Sequence, residues 1–129
     1  MIYALAPMAS LSHRPLRMLI QSFGGCDEYY SEMISARGML GGGHLEAYYT
    51  DAGPDPSQVV YQLMGPDTAS IVEAAERLNA KECLGIDINM GCAAPHIARQ
   101  GCGISWMRDA VAAAAMVKAV RSVVTRRLS

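Results

Sequence analysis

Apolar and polar positions alternate along this chain in blocks, and the period switches from block to block. Ile2-Tyr3-Ala4-Leu5-Ala6 is a short apolar run closed by Pro7, the pattern of a buried strand ending in a loop. Leu16, Leu19, Ile20 and Phe23 then recur at helical spacing, with Ser12 placed to cap that helix and Gly24-Gly25 to stop it. Glu28-Tyr29-Tyr30-Ser31-Glu32-Met33-Ile34 predicts a second strand, less apolar than a fully buried one. Residues 38–57 are rich in Gly, Pro and Asp and predict a long loop. In a compact domain such a loop is either functional or a tolerated surface insertion.

Val59–Met64 predicts a third strand, stopped by Gly65-Pro66. Asp67 or Thr68 caps a helix that sets Ile71, Val72, Ala75 and Leu78 on one side. Leu84–Ile88 predicts a fourth strand that leads straight into Asn89-Met90-Gly91-Cys92. Asp109 opens an alanine-rich helix carrying Val111, Met116, Val117 and Val120, and Val123–Ser129 has the pattern of a fifth strand beginning. Strand and helix alternate throughout, which predicts an α/β fold with a parallel sheet and right-handed crossovers. No linker divides the chain, so residues 1–129 are expected to form a single partial (β/α) domain. Four βα units plus the start of a fifth strand amount to half of a TIM barrel, for which about 250 residues is typical. A half barrel leaves strand edges and apolar surface uncovered, so self-association is expected.

Composition adds bounds. With 129 residues, 51% apolar and 18% charged, the chain is long and apolar enough to bury a core. A net charge of −1 gives no electrostatic case for a nucleic-acid partner, although a local basic patch is compatible with it. The apolar runs fall short of the ~20 residues of a membrane span. The opening MIYALAPMAS has no basic n-region of a signal peptide. A cytoplasmic protein without membrane attachment is therefore expected, with its four cysteines as thiols.

In α/β folds ligands sit beyond the carboxyl ends of the strands, and the unusual residues concentrate there. Met8, Met33 and Met90 are side chains that ordinarily fill cores, and Glu32 is a strand-end carboxylate of the kind often solvated. Gln62 carries more information, because an amide in an apolar strand needs partners once buried. Among the cysteines there is no C-x-x-C pair, which argues against structural zinc and a redox motif. Cys26 and Cys83 precede strands and read as structural, while Cys102, between Gly101 and Gly103, is expected to be exposed. Cys92 stands apart because it follows a strand end beside an amide. His13 and His44 carry little signal, and His96, four residues after Cys92, makes a Cys–His nucleophile pair conceivable without fixing its geometry. No phosphate-binding P-loop is present, and Gly41-Gly42-Gly43 lacks the context of a dinucleotide fingerprint.

Taken in order, these segments resemble the tRNA-dihydrouridine synthases, flavoenzymes that reduce uridine in tRNA. The resemblance is carried by Ala6-Pro7-Met8-Ala9, Tyr30–Ala36, Gln62-Leu63-Met64-Gly65 and Ile86–Cys92, and is continued by Gly101, Gly103, Met107, Arg108 and Asp109. It covers the N-terminal half of the family's FMN-binding TIM barrel. The resemblance implies that Pro7, Met8 and Ala9 lie against FMN, that Gln62 contacts the flavin, and that Asn89 lies near both ring and uracil. It implies that NADPH reduces FMN, that a hydride passes to C6 of the uracil, and that Cys92 protonates C5. Such chemistry requires the base to leave its stack. The chain departs from the family pattern at Ala93, where proline is usual, and at His96, where lysine is frequent. It also has Thr125 at the position of a flavin-contacting lysine. Two alternatives stay open: an FMN-dependent barrel acting on a free pyrimidine, against which the Asn89–Cys92 turn and Ser31-Glu32-Met33 speak, and a non-catalytic, self-associating half barrel, which the half-barrel length and Thr125 favour.

Overall fold

Five strands run parallel in a single sheet, in the order of the sequence, in the computed structural model, which describes Met1–Ser129. They are Ala4–Leu5 (β1), Glu28–Ser35 (β2), Val59–Met64 (β3), Gly85–Ile88 (β4) and Arg127–Leu128 (β5). Helix Arg14–Ser22 (α1) follows β1, while Ala36–Leu40 (α2) and His44–Tyr49 (α3) follow β2. Thr68–Asn79 (α4) follows β3, and Pro95–Ala98 (α5), a 3₁₀ turn at Gly103–Arg108 and Ala110–Val123 (α6) follow β4. Sequential parallel strands joined by helical crossovers are the pattern of a (β/α) barrel, so the chain folds as the half barrel that its alternation predicts.

The helix-facing side of the sheet holds the apolar core. Ile34, Val59, Tyr61, Leu63, Ile86 and Ile88 pack beneath Ile71, Ala74, Ala75 and Leu78 of α4 and Met116 and Val120 of α6. β3 is central and buried along almost its whole length. Two of the three helix starts foreseen in the sequence are capped as expected. Asp67 Oδ1 accepts from Ser70 N at 2.8 Å, and Asp109 Oδ1 accepts from the Val111 and Ala112 amides at 3.0 Å. Val111 is 80% exposed, because it sits in the capping turn and not on the buried face.

The opposite, concave face is polar. Register places Tyr30, Val60, Gly85 and Arg127 side by side in one row, and Met33, Gln62 and Asp87 in the next. Arg127 donates from Nη1 and Nη2 to the Glu28 carboxylate at 2.6 and 2.7 Å, and from Nη2 to Tyr30 Oη at 2.8 Å. A side chain of the fifth strand can reach the second only if the sheet curls. Gly85 permits that closeness, since a Cβ there would lie 2.7 Å from the Arg127 carbonyl oxygen.

Several sequence expectations change in three dimensions. The first strand shrinks from residues 2–6 to Ala4–Leu5, with Ile2 and Tyr3 exposed, because it lies at a sheet edge with a partner on one side only. The long loop over 38–57 becomes α2, α3 and a 3₁₀ turn at Pro56–Gln58, punctuated by Gly42 at a φ of +77°. Ser12 does not cap α1; its hydroxyl is turned back onto Met8, and His13 holds the cap position without a side-chain hydrogen bond. The supposed apolar face of α1 is mostly uncovered, with Leu19 at 54% and Phe23 at 84% exposure, while Arg17 is its buried residue. The fifth strand is also shorter, since α6 runs on through Val123. No helix is long and apolar enough to cross a membrane.

The Glu28–Arg127 pair supplies a pH test of the curl. The hydrogen bonds from Arg127 hold the Glu28 carboxyl below the usual carboxylate range. A depressed folded-state pKa contributes stability above the unfolded value of about 4.3 and loses it as pH falls through the folded value. The melting temperature of the wild type is therefore expected to fall on acidification through this window, and Glu28→Gln to show a shallower fall. Equal slopes in the two proteins would remove the pair from the acid response.

Candidate active site

At the carboxyl end of the sheet, buried Gln62 organises a chain of hydrogen bonds. Its Nε2 donates to Asp87 Oδ2 at 2.6 Å, and its Oε1 accepts from Asn89 Nδ2 at 3.0 Å. Asn89 Oδ1 in turn accepts from Cys92 N at 3.0 Å, which closes residues 89–92 into a turn held by the Asn89 side chain. Asp87 also accepts from Ser129 Oγ at 2.8 Å. An unpaired buried amide costs about 1–3 kcal/mol, so this connectivity is what lets Gln62 occupy an otherwise apolar strand. Asp87 accepts only, so it fixes which end of the Gln62 amide faces it, and Gln62 fixes Asn89 in the same way. Each of the two amide nitrogens retains a second hydrogen for another acceptor.

The Cys92 turn is held from its other side as well. Ile104 N donates to the Cys92 carbonyl at 3.0 Å. Gly103, at a φ of +58°, lies so close that a Cβ there would fall on the Cys92 carbonyl oxygen and within 3.2 Å of its Cβ. Trp106 Nε1 donates to Gly65 O at 2.9 Å, tying the 3₁₀ turn to the end of β3. Cys92 is half-buried, and its sulfur makes no side-chain hydrogen bond. The thiol is thus positioned through its backbone and remains available.

Pro7, Met8 and Ala9 form a separate part of the site, on the loop between β1 and α1. Ser12 Oγ lies 2.9 Å from Met8 N and 3.0 Å from Met8 O, closing the loop on itself. Ser10, with a φ of 61°, is the only non-glycine residue in the left-handed region. Its amide donates to Glu32 Oε2, which anchors the loop to β2. Glu32 is 2% exposed and its Oε1 has no partner, so the strand-end carboxylate expected to be solvated is instead enclosed. A bulge in β2 between Tyr30 and Met33 brings it inward, and Ser31 Oγ fills the gap by accepting from Gln62 N at 3.0 Å. Arg17 braces the same loop, donating to Ser12 O at 2.7 Å and Asp51 O at 2.5 Å. Burial lowers the Arg17 pKa from its ordinary value, and nearby Tyr61 and Asp51 oppose that shift.

Gln62, Asn89 and Cys92 are therefore joined directly, whereas no hydrogen bond links Pro7, Met8 or Ala9 to them. Cys102 is buried at 4% exposure, contrary to expectation, because Gly101 and Gly103 fold its segment against Pro66 and Cys92. The pairing of Cys92 with His96 is not formed: His96 is exposed on α5 and no hydrogen bond joins them. Thr125 lies at the foot of the sheet, its amide donating to Oδ1 of Asn79, the last residue of α4, at 3.1 Å, so it does not face the mouth. Asp87, Glu32, Arg17 and Gly103 carry positioning roles that the sequence pattern did not assign. Asp87 had a signal, as a lone acid within Leu84-Gly85-Ile86-Asp87-Ile88.

Gly103→Ala is expected to displace the Cys92 turn and raise the alkylation rate of Cys92 severalfold, read by peptide mapping after iodoacetamide pulses. Gly91→Ala, with open space around its Cβ, is expected to leave that rate unchanged. Equal rates in the two variants would mean that Gly103 does not set the turn.

Comparison with known proteins matches this architecture to one family. The dihydrouridine synthase (Dus) family model covers residues 4–129. A probable tRNA-dihydrouridine synthase of Helicobacter pylori is 29% identical over 126 residues, covering 97% of this chain and 38% of that protein. tRNA-dihydrouridine synthase B of Pseudomonas aeruginosa is 33% identical over 118 residues, covering 90% of this chain and 35% of that protein. A probable tRNA-dihydrouridine synthase of Aquifex aeolicus is 37% identical over 99 residues, covering 74% of this chain and 30% of that protein. The chain thus spans about a third of the length of the curated relatives it matches. With a match running along nearly its whole length, on a curled parallel sheet of the kind described, this chain belongs to the dihydrouridine synthase (Dus) family.

Proposed function

We propose that residues 1–129 form one partial barrel unit bearing the uridine-facing part of a cytoplasmic tRNA-dihydrouridine synthase site, with FMN as cofactor and NADPH as reductant. The observation that carries this reading is the continuous chain Asp87–Gln62–Asn89–Cys92 at the carboxyl end of the sheet. The residues present suit a flavin: two oriented amides each keep a free donor, and the Ala9 N–H has no intramolecular acceptor. Pro7, Met8, Ala9, Gln62 and Asn89 would hold the ring, with Met33 beside Gln62 in register as an adaptable apolar surface. When bound and reduced by NADPH, FMN would supply the hydride for C6 of the uracil.

The chain's own residues do the rest. Asp87 locks the Gln62 amide, Gln62 locks Asn89, and Asn89 sets the turn that carries Cys92. Preorganisation of this kind places an acid without reorganisation during reaction. The Cys92 thiol gives its proton to C5, so hydride and proton together saturate the C5–C6 bond, and the thiolate regains a proton from solvent. Glu32 and Arg17 hold the Pro7–Ala9 loop through Ser10 and Ser12.

The purified chain is expected to take up FMN and acquire flavin absorption. Cys92→Ala should keep the colour while dihydrouridine formation in an unmodified tRNA transcript falls at least ~100-fold. A protein that stays colourless with added FMN would sink the cofactor assignment, and retained turnover in the variant would sink the proton donor.

A second reading, a self-associating half barrel without catalysis, is favoured by the apolar surface around β1 and α1. Ile2 is 72%, Leu19 54% and Phe23 84% exposed. Sedimentation equilibrium is expected to show mass rising with concentration, and Leu19→Ser/Phe23→Ser to abolish the rise. A wild type that is monomeric at every concentration would contradict it.

A further inference from the structure

Eight of the eleven basic side chains are engaged within the molecule. Arg14, Arg37, Arg77 and Arg127 pair with carboxylates. Arg17, Arg121 and Arg126 donate to backbone carbonyls, and Lys81 donates to Thr50 Oγ1. Arg99, Arg108 and Lys118 remain without a hydrogen bond or ion pair. Two of these three, Arg99 and Arg108, line one groove of about 430 Å³ together with Pro66, Ser105 and Trp106. The acid in that groove, Asp109, already caps α6 through its Oδ1. With two guanidiniums against one carboxylate, the groove is locally basic on a chain whose net charge is −1.

Its walls are continuous with the Cys92 turn. From Cys92 the chain enters α5, which ends next to Arg99, and the 3₁₀ turn that packs on Cys92 through Gly103 ends at Arg108. Trp106 fastens that turn to Gly65, and Gly101 lies against Pro66, both just past the end of β3. Two unspent guanidiniums, carried on the segments that follow and pack on the Cys92 turn, offer the forked donors that bind phosphodiester oxygens bidentately. A uridine swung out to reach Cys92 brings its flanking phosphates with it, and unstacking has to be offset by contacts to that backbone. We propose that Arg99 and Arg108 form a clamp for the RNA phosphates flanking the target uridine. The clamp rests on the tRNA reading above and adds the surface by which the strand is held.

Trp106 is the sole tryptophan and lines the groove, so its fluorescence reports occupancy of the site directly. Titration of the full 129-residue chain with an unmodified tRNA transcript should quench Trp106 saturably. Each of Arg99→Gln and Arg108→Gln is expected to weaken binding and lower the slope of log K against log salt by roughly 1. Lys118→Gln, outside the groove, should leave both unchanged. A double Arg99→Gln/Arg108→Gln variant that binds tRNA with wild-type affinity and slope would overturn the clamp. So would a wild type that ignores tRNA, or one that binds heparin as tightly as tRNA with the same arginine dependence, which would make the groove a general polyanion site. FMN uptake, measured on the same preparations, separates the two failures: flavin binding with no arginine-dependent tRNA binding removes the clamp and leaves the flavin reading standing.

Discussion

The 2.6 Å hydrogen bond from Gln62 to Asp87 is the constraint around which the site is arranged. It sits on the concave face of the sheet, where adjacent strands set the two residues side by side. A carboxylate can only accept, so the bond removes the freedom of the Gln62 amide to flip. That choice passes through Asn89 to the backbone of Cys92. A single acceptor on β4 thus orients three residues: Gln62 on β3, and Asn89 and Cys92 in the turn after β4. The cooperative character of such chains also explains why a polar row is tolerated in the interior of a small domain.

Curl makes that row a site and not a flat ribbon. The helix-facing side of the sheet is an ordinary apolar core, centred on β3 and covered by α4 and α6. The other side carries Arg127, Glu28 and Tyr30 in one layer and Gln62 and Asp87 in the next. The Arg127 fork ties the fifth strand to the second below the mouth, where Gly85 leaves room for the approach. Above it, the loops after β1 and β4 are braced independently. Glu32 and Arg17 hold one, and Gly103 and Trp106 hold the other. Two braced loops over a fixed polar row leave the Cys92 thiol half-buried and without a hydrogen-bond partner.

Strand and helix alternation was legible because period is a local property. β2, β3 and β4, the caps at Asp67 and Asp109, and the core residues Ile71, Leu78, Met116 and Val120 all follow from it. Edges were not legible. Ile2 and Tyr3 have strand-like side chains, yet a strand at the rim of a sheet pairs on one side only, and most of that run stays outside the ladder. The face of α1 was misassigned for a related reason. Apolar spacing identified a helix, but the residue drawn inward was Arg17, which finds one carbonyl nearby at Ser12 and another at Asp51, far away in sequence. The 38–57 segment hid two short helices because its glycines punctuate them, and single-turn helices leave little periodicity.

For the site, the sequence by itself determined which residue types stand at the strand ends, and with them the resemblance that placed Gln62, Asn89 and Cys92 together. These are properties of order along the chain, and order survives without coordinates. Only the tertiary structure decided how they connect. Asp87 became the orienting acceptor, Cys102 went inward, His96 was left apart from Cys92, and Thr125 fell at the foot of the sheet. It also decided which cations were free, since Arg99 and Arg108 look like any other arginines until the partners of the rest are known. Hydrogen bonds and ion pairs across strands depend on register and curl, and those are fixed by packing between segments far apart in the sequence.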